Sequence, residues 1–270
     1  MDDFMTSAEA ARLLGVGPTS VKRWSDAGLL ACVRTAGKHR RFRREEVERF
    51  QRAQGGSSGA DAGEVDAWVE RLLAGAEPHT IVSALLSERG RLGSWWRTAD
   101  LLGEVLVELG LRWQRGSISV LQEHLASEQL SRALARCCES IPVRSGAPRA
   151  LLVSALSDEH TLGLQLAELC LRERNWNVLW AGRSVPEAEL EQRIREGGCQ
   201  LLGLSAAQNL QEREALEDLV RRFGPLCEEH GVALVLGGLG AWPDPAPHLP
   251  RFQRVRTFRE LSSSLEAVRG

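Results

Sequence analysis

Short apolar runs alternate with amphipathic stretches from residue 149 onward, and this alternation constrains the fold most. The apolar runs fall at 150–155, 178–181, 201–205, 233–236 and 254–257, and the amphipathic stretches at 161–174, 186–196, 209–230 and 259–268. Runs that are apolar along their whole length predict strands buried on both faces, and regular alternation with helices predicts a parallel, doubly wound sheet. Ligands of such sheets bind at the carboxyl ends of the strands.

Residues 64–145 read as helix throughout and predict an antiparallel bundle of four helices. Trp113 is followed, after nine residues, by Glu123 and His124 near the start of the last predicted helix. The apolar stripe of that helix is Leu121, Leu125, Leu130 and Leu134. This placement directs Glu123 and His124 toward one end of the bundle. A lone helical histidine is usually a surface or core residue, so a function for His124 depends on what lies opposite it.

Polar residues and glycines fall at the carboxyl edge of the predicted sheet. They are Asp158, Glu159, His160 and Gly163 after the first strand, Ser205 at the end of the third, and Gly237 and Gly238 after the fourth. One histidine therefore follows a strand of the sheet, and another begins the last helix of the bundle. Two histidines presented by two domains indicate one large ligand held between them.

Residues 1–53 predict a winged helix-turn-helix module. Its predicted elements are a first helix opened by a capping box at 6–9, a second helix over 21–24, a hairpin wing over 32–42 and a third helix from Arg44. The second helix of such a module is the one that enters a major groove. A glycine- and serine-rich linker, 54–63, joins this module to the bundle.

The charge of the chain is unevenly distributed. Its net charge is −2, yet residues 1–53 hold eleven Lys or Arg against seven Asp or Glu. Clustered basic side chains are an electrostatic footprint for DNA, because phosphate contacts supply most of the affinity. The candidate DNA-binding residues are Thr19, Ser20, Lys22, Arg23, Arg34, Lys38, His39, Arg40 and Arg41. No apolar run approaches the roughly 18 residues of a membrane helix, which predicts a cytoplasmic protein without a membrane partner.

Two of the modules carry motifs of known families. Ala-Ala-Arg-Leu-Leu-Gly-Val at 10–16 and the basic wing at 34–42 resemble the winged helix-turn-helix of the MerR superfamily, which implies that Trp24 and Phe42 are core residues. Asp158-x-His160-x-x-Gly163, with Ser205 and the paired glycines, resembles the Rossmann-like (flavodoxin-like) cobalamin-binding domain. That family usually has Ser-x-Leu where this chain has Ser-Ala-Ala at 205–207, a departure at the pocket for the nucleotide tail.

The chemistry of cobalamin explains these residue types. A cobalt ligand must be a neutral imidazole with one free nitrogen, and the neighbouring Asp158 can fix its tautomer. Glycines allow the backbone to approach the nucleotide tail, and Ser205 can offer a hydroxyl to the displaced base.

The order of the modules and the Trp113–Glu123–His124 spacing resemble the CarH family of light-sensing repressors. The resemblance implies a multidomain fold: a winged helix-turn-helix, a four-helix bundle over 64–145 that caps the cofactor, and an α/β cobalamin-binding domain over 146–270. It implies adenosylcobalamin, or another cobalamin form, held between bundle and α/β domain with His160 as the lower cobalt ligand. Trp113 packs against the adenosyl group, and Glu123 approaches it.

The same resemblance implies a light-driven switch and no enzymatic activity. In the dark, a homotetramer binds double-stranded operator DNA. Light breaks the cobalt–carbon bond, the adenosyl group leaves, and His124 takes the vacated upper position on cobalt. The bundle then moves, and the tetramer separates into a smaller species that releases DNA.

Three alternatives remain open from the sequence. The first is a corrinoid protein that serves a methyltransferase, although a DNA-binding head has no role there. The second is a regulator of the same architecture that senses cobalamin or another tetrapyrrole without responding to light. The third is an additional chromophore such as a bilin. Only Trp113, Glu123 and His124 favour the light response over the second alternative.

Overall fold

The computed structural model describes residues 4–14, 21–22, 24–25, 30–35, 37, 39–54, 62–75, 77–155, 158–207, 213–244 and 249–268. Three modules follow one another along these residues: a small N-terminal module, a four-helix bundle and a parallel sheet with helices on both faces. This is the predicted multidomain order. Within the described ranges, no helix combines the length and the apolar character that a membrane crossing requires.

The N-terminal module is built on a three-stranded antiparallel sheet. Its elements are β1 (Phe4–Thr6), α1 (Ser7–Leu14), β2 (Val33–Arg34), β3 (Arg40–Arg43) and α2 (Arg44–Gln54). β2 and β3 form the predicted wing hairpin, and α2 begins at the predicted residue. β1 is an addition to the predicted plan, and it pairs with β3 so that Met5 lies opposite Phe42. Trp24 and Phe42 are buried in the core of this module, as the family resemblance implies.

Local hydrogen bonds explain where the first helix begins. Thr6 N donates to Glu9 Oε2 (2.7 Å), and Glu9 N donates to Thr6 Oγ1 (3.2 Å), which completes the predicted capping box. Residues 21–22 and 24–25 are helical, in agreement with the predicted second helix. Residues 15–20, between the first and second helices, lie outside the described residues.

The bundle consists of four helices. They are α3 (Ala62–Leu73), α4 (Pro78–Leu92), α5 (Trp95–Gln114) and α6 (Val120–Ser140). α6 begins at a capping box in which Gln122 N donates to Ser119 Oγ (3.2 Å) and Ser119 N donates to Gln122 Oε1 (2.9 Å). α2 and α3 each extend into one end of the predicted linker, 54–63, and residues 55–61 of that linker lie outside the described part of the chain.

The C-terminal module is a five-stranded parallel sheet with the strand order β5-β4-β6-β7-β8. Its strands are β4 (Arg149–Ser154), β5 (Asn177–Gly182), β6 (Leu201–Ser205), β7 (Ala233–Gly237) and β8 (Phe252–Arg254). Its helices are α7 (Leu162–Glu173), α8 (Glu187–Arg195), α9 (Arg213–Glu229) and α10 (Phe258–Ala267). α7 and α10 cover one face, and α8 and α9 cover the other. The strand order reverses between β4 and β6, and this reversal places a ligand-binding crevice at the carboxyl ends of those strands.

The last strand lies earlier in the chain than predicted. The sequence pattern places it at 254–257, whereas β8 spans Phe252–Arg254. Thr257 instead caps α10, because its Oγ1 accepts a hydrogen bond from Glu260 N (3.1 Å). The backbone of an N-cap residue is extended, as it is in a strand. A β-prone residue such as Thr257 suits this conformation, and the sequence pattern therefore predicts a strand there.

The bundle and the sheet share one continuous apolar core on the face that α7 and α10 cover. Two carboxylates join the modules in opposite directions. Glu173, which ends α7, accepts a hydrogen bond from Trp95 N at the start of α5 (3.0 Å) and pairs with Arg89 (2.8 Å). Asp100 on α5 accepts one from Phe258 N at the start of α10 (2.7 Å). Each carboxylate thus occupies a helix N-terminus of the other module, where free N–H groups and the helix dipole stabilise negative charge.

Candidate cofactor site and DNA-binding surface

His160 and Asp158 form a hydrogen-bonded pair in the loop after β4. His160 Nδ1 lies 2.7 Å from Asp158 Oδ1, which also accepts a hydrogen bond from His160 N (2.9 Å). Ala207 N, after β6, donates to the other carboxylate oxygen. The Asp158 side chain is 7% exposed, whereas that of His160 is 81% exposed. Asp158 therefore holds the imidazole by Nδ1 and leaves Nε2 as the nitrogen that can bind a metal.

This pair shifts the acidity of both partners. Burial opposes ionisation of Asp158, but the hydrogen bonds from His160 and Ala207 outweigh it and lower the pKa of this carboxyl. The hydrogen bond to Asp158 raises the pKa of His160 against burial, with help from the charges of Asp158, Glu123 and Glu159. A metal at Nε2 therefore displaces a proton that this site holds more tightly than a free imidazole does.

Glu123 brings the bundle to the same loop. Its charge acts on His160, which places the start of α6 beside the carboxyl edge of the sheet. Glu123 Oε2 lies 2.6 Å from His124 Nδ1, and Glu123 Oε1 accepts a hydrogen bond from Ser127 Oγ (2.7 Å). The His124 side chain is exposed. Glu123 therefore contacts the imidazole of its own module and acts through its charge on the imidazole of the sheet module.

The end of the bundle beside Glu123 exposes four large apolar side chains. They are Trp113, Val120, Leu121 and Leu125, which are 46–67% exposed. The sequence pattern predicts Leu121 and Leu125 on a continuous core stripe of α6, and this prediction is wrong. Only Leu130 and Leu134 of that stripe are buried, because core packing on α6 begins at Ala126. A contiguous exposed apolar surface on a soluble domain marks a binding site.

Glycines lie around Ser205 at the edge of the sheet. A Cβ atom on Gly163 would lie 3.8 Å from Ser205 Oγ, and one on Gly238 would lie 2.3 Å from Ala206 O. Gly238 also has a φ of 81°, in the region that favours glycine. Gly237 ends β7 directly beside Ser205. Glycine is therefore required at position 238, because any side chain there would meet the backbone of residue 206.

Glu159 is engaged by a residue that the motifs do not include. Arg183, in the loop after β5, forms an ion pair with Glu159, and both side chains are exposed. The only signal for Arg183 in the sequence is its position directly after an apolar strand. The ion pair joins the loops that follow β4 and β5 at the carboxyl edge of the sheet.

The described part of the N-terminal module places basic side chains on the second helix and on the wing. The predicted DNA-binding residues that are exposed are Lys22, Arg34 and His39, and those that are half-buried are Arg40 and Arg41. Thr35 N donates to His39 O (2.9 Å) and closes the wing turn. The remaining predicted residues, outside the described ranges, are Thr19, Ser20, Arg23 and Lys38.

Comparison with known families and proteins gives matches to two of the modules. A helix-turn-helix domain model matches residues 4–55, and a B12 binding domain model matches residues 98–137, which lie on α5, α6 and the turn between them. The chain is 29% identical over 168 residues to the HTH-type transcriptional repressor CarA of Myxococcus xanthus. It is 28% identical over 145 residues to the HTH-type transcriptional repressor CarH of the same organism.

The alignment with CarA covers 61% of this chain and 53% of CarA, and the alignment with CarH covers 53% of this chain and 46% of CarH. The chain therefore spans about half the length of these relatives. Among solved structures, a monomethylamine corrinoid protein from Methanosarcina barkeri has a TM-score of 0.57 at 18% identity. That match covers 76% of this chain and 96% of the corrinoid protein. It establishes the likeness of the fold over the bundle and the sheet.

The fold and these matches define the class of the chain. It joins a helix-turn-helix module to a helical bundle that matches a B12 binding domain model and to a parallel, Rossmann-like sheet. Its sequence is similar to those of the two Myxococcus transcriptional repressors.

Proposed function

We propose that this chain is a light-responsive DNA-binding regulator that holds adenosylcobalamin between the bundle and the sheet. The observation that carries the proposal is the convergence of His160, oriented by Asp158, and Glu123 at one edge of the sheet. The B12-domain match supports it, because that match spans the bundle residues that contribute to the convergence. The helix-turn-helix match supports DNA as the partner and a regulatory role in place of catalysis.

The chemistry of the edge suits a corrinoid. A single imidazole nitrogen, oriented by a buried carboxylate, fits a metal whose equatorial positions a macrocycle already fills. The exposed apolar side chains at the end of the bundle offer a surface to the upper side of a bound ligand. Gly163 presents no side chain toward Ser205, whose hydroxyl is proposed to contact the nucleotide tail. When bound, adenosylcobalamin supplies a cobalt–carbon bond that light cleaves.

The residues of the chain take distinct roles in this proposal. His160 would hold the cobalt through Nε2 from the sheet side, and Asp158 would fix its tautomer. Trp113 and Glu123 lie toward the upper side, where the adenosyl group is expected. His124, which is exposed and held by Glu123, is the imidazole available for the upper axial position after the adenosyl group has left. A change at the upper side therefore acts directly on the first turn of α6, which can transmit it to the bundle.

Oligomeric assembly connects this local change to DNA. A single small head binds DNA weakly, whereas linked heads gain affinity through effective concentration. We expect a homotetramer on double-stranded operator DNA in the dark and a smaller species after illumination. Loss of the assembly then releases DNA without a change in any DNA contact.

The proposed switch is tested by illuminating the purified protein loaded with adenosylcobalamin. We expect a larger species in the dark and a smaller one after green light, measured by size-exclusion chromatography with light scattering, with loss of operator binding on illumination. The same protein loaded with cyanocobalamin, which carries no adenosyl group, is the control and keeps its size. His124→Ala is expected to photolyse but to lack the spectrum of cobalt with two axial imidazoles.

The outcomes of this experiment separate the candidate functions. An unchanged size after complete photolysis would contradict the light response and favour a light-independent cobalamin sensor. Failure of the protein to bind any cobalamin would contradict the proposal as a whole. Binding of cobalamin without binding of any duplex DNA would favour a corrinoid carrier.

The DNA-binding surface is tested by replacing Arg34 on the wing. Arg34→Ala is expected to weaken DNA binding and to lower the slope of log K against log salt by about one, the effect of one lost phosphate contact. The measurement is a salt titration of DNA affinity by fluorescence anisotropy. Arg221→Ala, which removes an exposed arginine from α9, is the charge-matched control. An equal change in both variants would move the DNA contact away from the wing.

A further inference from the structure

Two serines lie side by side at the carboxyl edge of the sheet. β4 and β6 are parallel neighbours, and their register pairs Ser154 with Ser205. Paired residues of adjacent parallel strands direct their side chains to the same face. Ser205 Oγ lies 3.0 Å from the position of a Cβ on Gly238 and 3.8 Å from that of a Cβ on Gly163. Ser154 therefore faces the side of the sheet that α7 covers, as Ser205 does.

The neighbouring residues of β4 support this orientation. Leu152, two positions earlier, belongs to the core that the bundle, α7 and α10 share, and a Cβ on its register partner Gly203 would meet it at 2.6 Å. Val153 and Ala155 belong to the core on the opposite face. Because successive side chains of a strand alternate between faces, Ser154 shares the face of Leu152.

The hydroxyl of Ser154 is buried and unpaired. Ser154 is 3% exposed, and its Oγ has no hydrogen-bond partner within the described part of the chain. Buried hydroxyls nearly always have a partner, and each exception calls for an explanation such as a ligand that completes it. The hydroxyl lies next to Ser205, on the face of the sheet that α7 covers.

We propose that Ser154 is a second specificity-determining residue of this site, and that its hydroxyl donates to the heteroaromatic base of the cobalamin nucleotide tail beside Ser205. This inference rests on the proposed function. A base released from cobalt when His160 binds the metal presents a ring nitrogen, and a ring nitrogen accepts a hydrogen bond from a hydroxyl. The ring nitrogen gives the hydroxyl of Ser154 the acceptor that it lacks in the protein.

The test compares two ligands that differ only in the tail. Hydroxocobalamin carries the nucleotide, whereas cobinamide has the same corrin ring and cobalt without it. In the full chain, Ser154→Ala is expected to weaken hydroxocobalamin binding by a factor of about 5 to 10, the effect of one internal hydrogen bond. Cobinamide affinity is expected to stay unchanged. Both affinities are measured by titration of the visible absorption spectrum.

Controls separate this role from a structural one. The midpoint temperature of thermal unfolding of ligand-free Ser154→Ala should not fall below that of the parent protein, because the hydroxyl has no protein partner to lose. Ser205→Ala should show the same selectivity for the tailed ligand. Ser140→Ala, at the far end of α6, should leave both affinities unchanged.

Two results would overturn the assignment. Unchanged hydroxocobalamin affinity in Ser154→Ala would show that the hydroxyl does not contact the tail, and an equal loss for cobinamide would show a general effect on the edge. If the parent protein binds cobinamide and not hydroxocobalamin, the corrin site stands and the tail assignment fails. If the parent binds neither ligand, the proposed function fails and the assignment fails with it.

Discussion

Replacing His160 with alanine is expected to weaken cobalamin binding by about 100-fold and to abolish imidazole ligation of the cobalt. The imidazole presents Nε2 because Asp158 holds Nδ1 at 2.7 Å, and the variant removes that nitrogen while leaving the buried carboxylate in place. The affinity is measured by titration of the visible spectrum. The ligand is identified by electron paramagnetic resonance of the cobalt(II) form, in which nitrogen-15 labelling of histidine changes the hyperfine splitting of a bound imidazole.

Asp158→Asn is expected to have a cobalamin affinity between those of the parent protein and His160→Ala, because the carboxylate acts through the imidazole. The amide of asparagine is a weaker acceptor for Nδ1–H, so we expect a loss of about 10-fold to 100-fold with imidazole ligation retained. His79→Ala, which removes an exposed histidine from α4, is the matched control and should leave affinity and spectrum unchanged. An unaltered spectrum in His160→Ala would mean that another group ligates the cobalt from the sheet side.

The centre of this site could be predicted from sequence because its geometry is local. Asp158 and His160 are two residues apart and follow an apolar strand, so the sheet edge and the hydrogen-bonded pair come from one short segment. The capping box at Ser119 fixes the start of α6 and thereby the end of the bundle at which Glu123 lies. Neither inference needs knowledge of a distant contact.

Features that depend on distant partners could not be predicted in the same way. β1 has only three residues, too few for a periodic pattern, and it forms because β3 offers an edge. Leu121 and Leu125 have the spacing of core residues, and apolar spacing is the same whether a helix packs on protein or faces a ligand. Glu173 and Asp100 lie on amphipathic helices without any motif, and their backbone partners are 78 and 158 residues away in the chain.

Asp100 at the junction between bundle and sheet is expected to make the stability of the ligand-free protein depend on pH. Burial raises its pKa to about 6 from the ordinary 3.8. The hydrogen bonds from Phe258 N and Arg259 N lower the pKa but do not outweigh burial, and the charge of Glu260 raises it while that of Arg259 lowers it. The folded protein therefore binds this proton more tightly than the unfolded chain does. The resulting stability, about 3 kcal/mol, is fully present below about pH 4 and is lost as the pH rises through 6.

Asp100→Asn removes this titration and keeps an oxygen that accepts from Phe258 N. Relative to the parent protein, the variant is expected to gain about 2 kcal/mol in unfolding free energy between pH 4.5 and 7.5, measured by urea denaturation. Asp218→Asn, which replaces an exposed aspartate of α9, is the control. Its difference in unfolding free energy from the parent protein should be the same at both pH values. Parallel pH profiles for the parent and Asp100→Asn would mean that Asp100 titrates in its ordinary range.

The position of Asp100 connects this test to the proposed switch. α5 carries Asp100 near its start and Trp113 near its end, about 20 Å apart at 1.5 Å per helical residue. The Asp100 and Glu173 caps hold the bundle to the sheet at the first end, whereas the exposed apolar side chains occupy the second. A bundle movement that starts at the second end has to break these caps before the first end can separate from the sheet. If Asp100→Asn stabilises the junction at neutral pH, it should also oppose any bundle movement that breaks the cap.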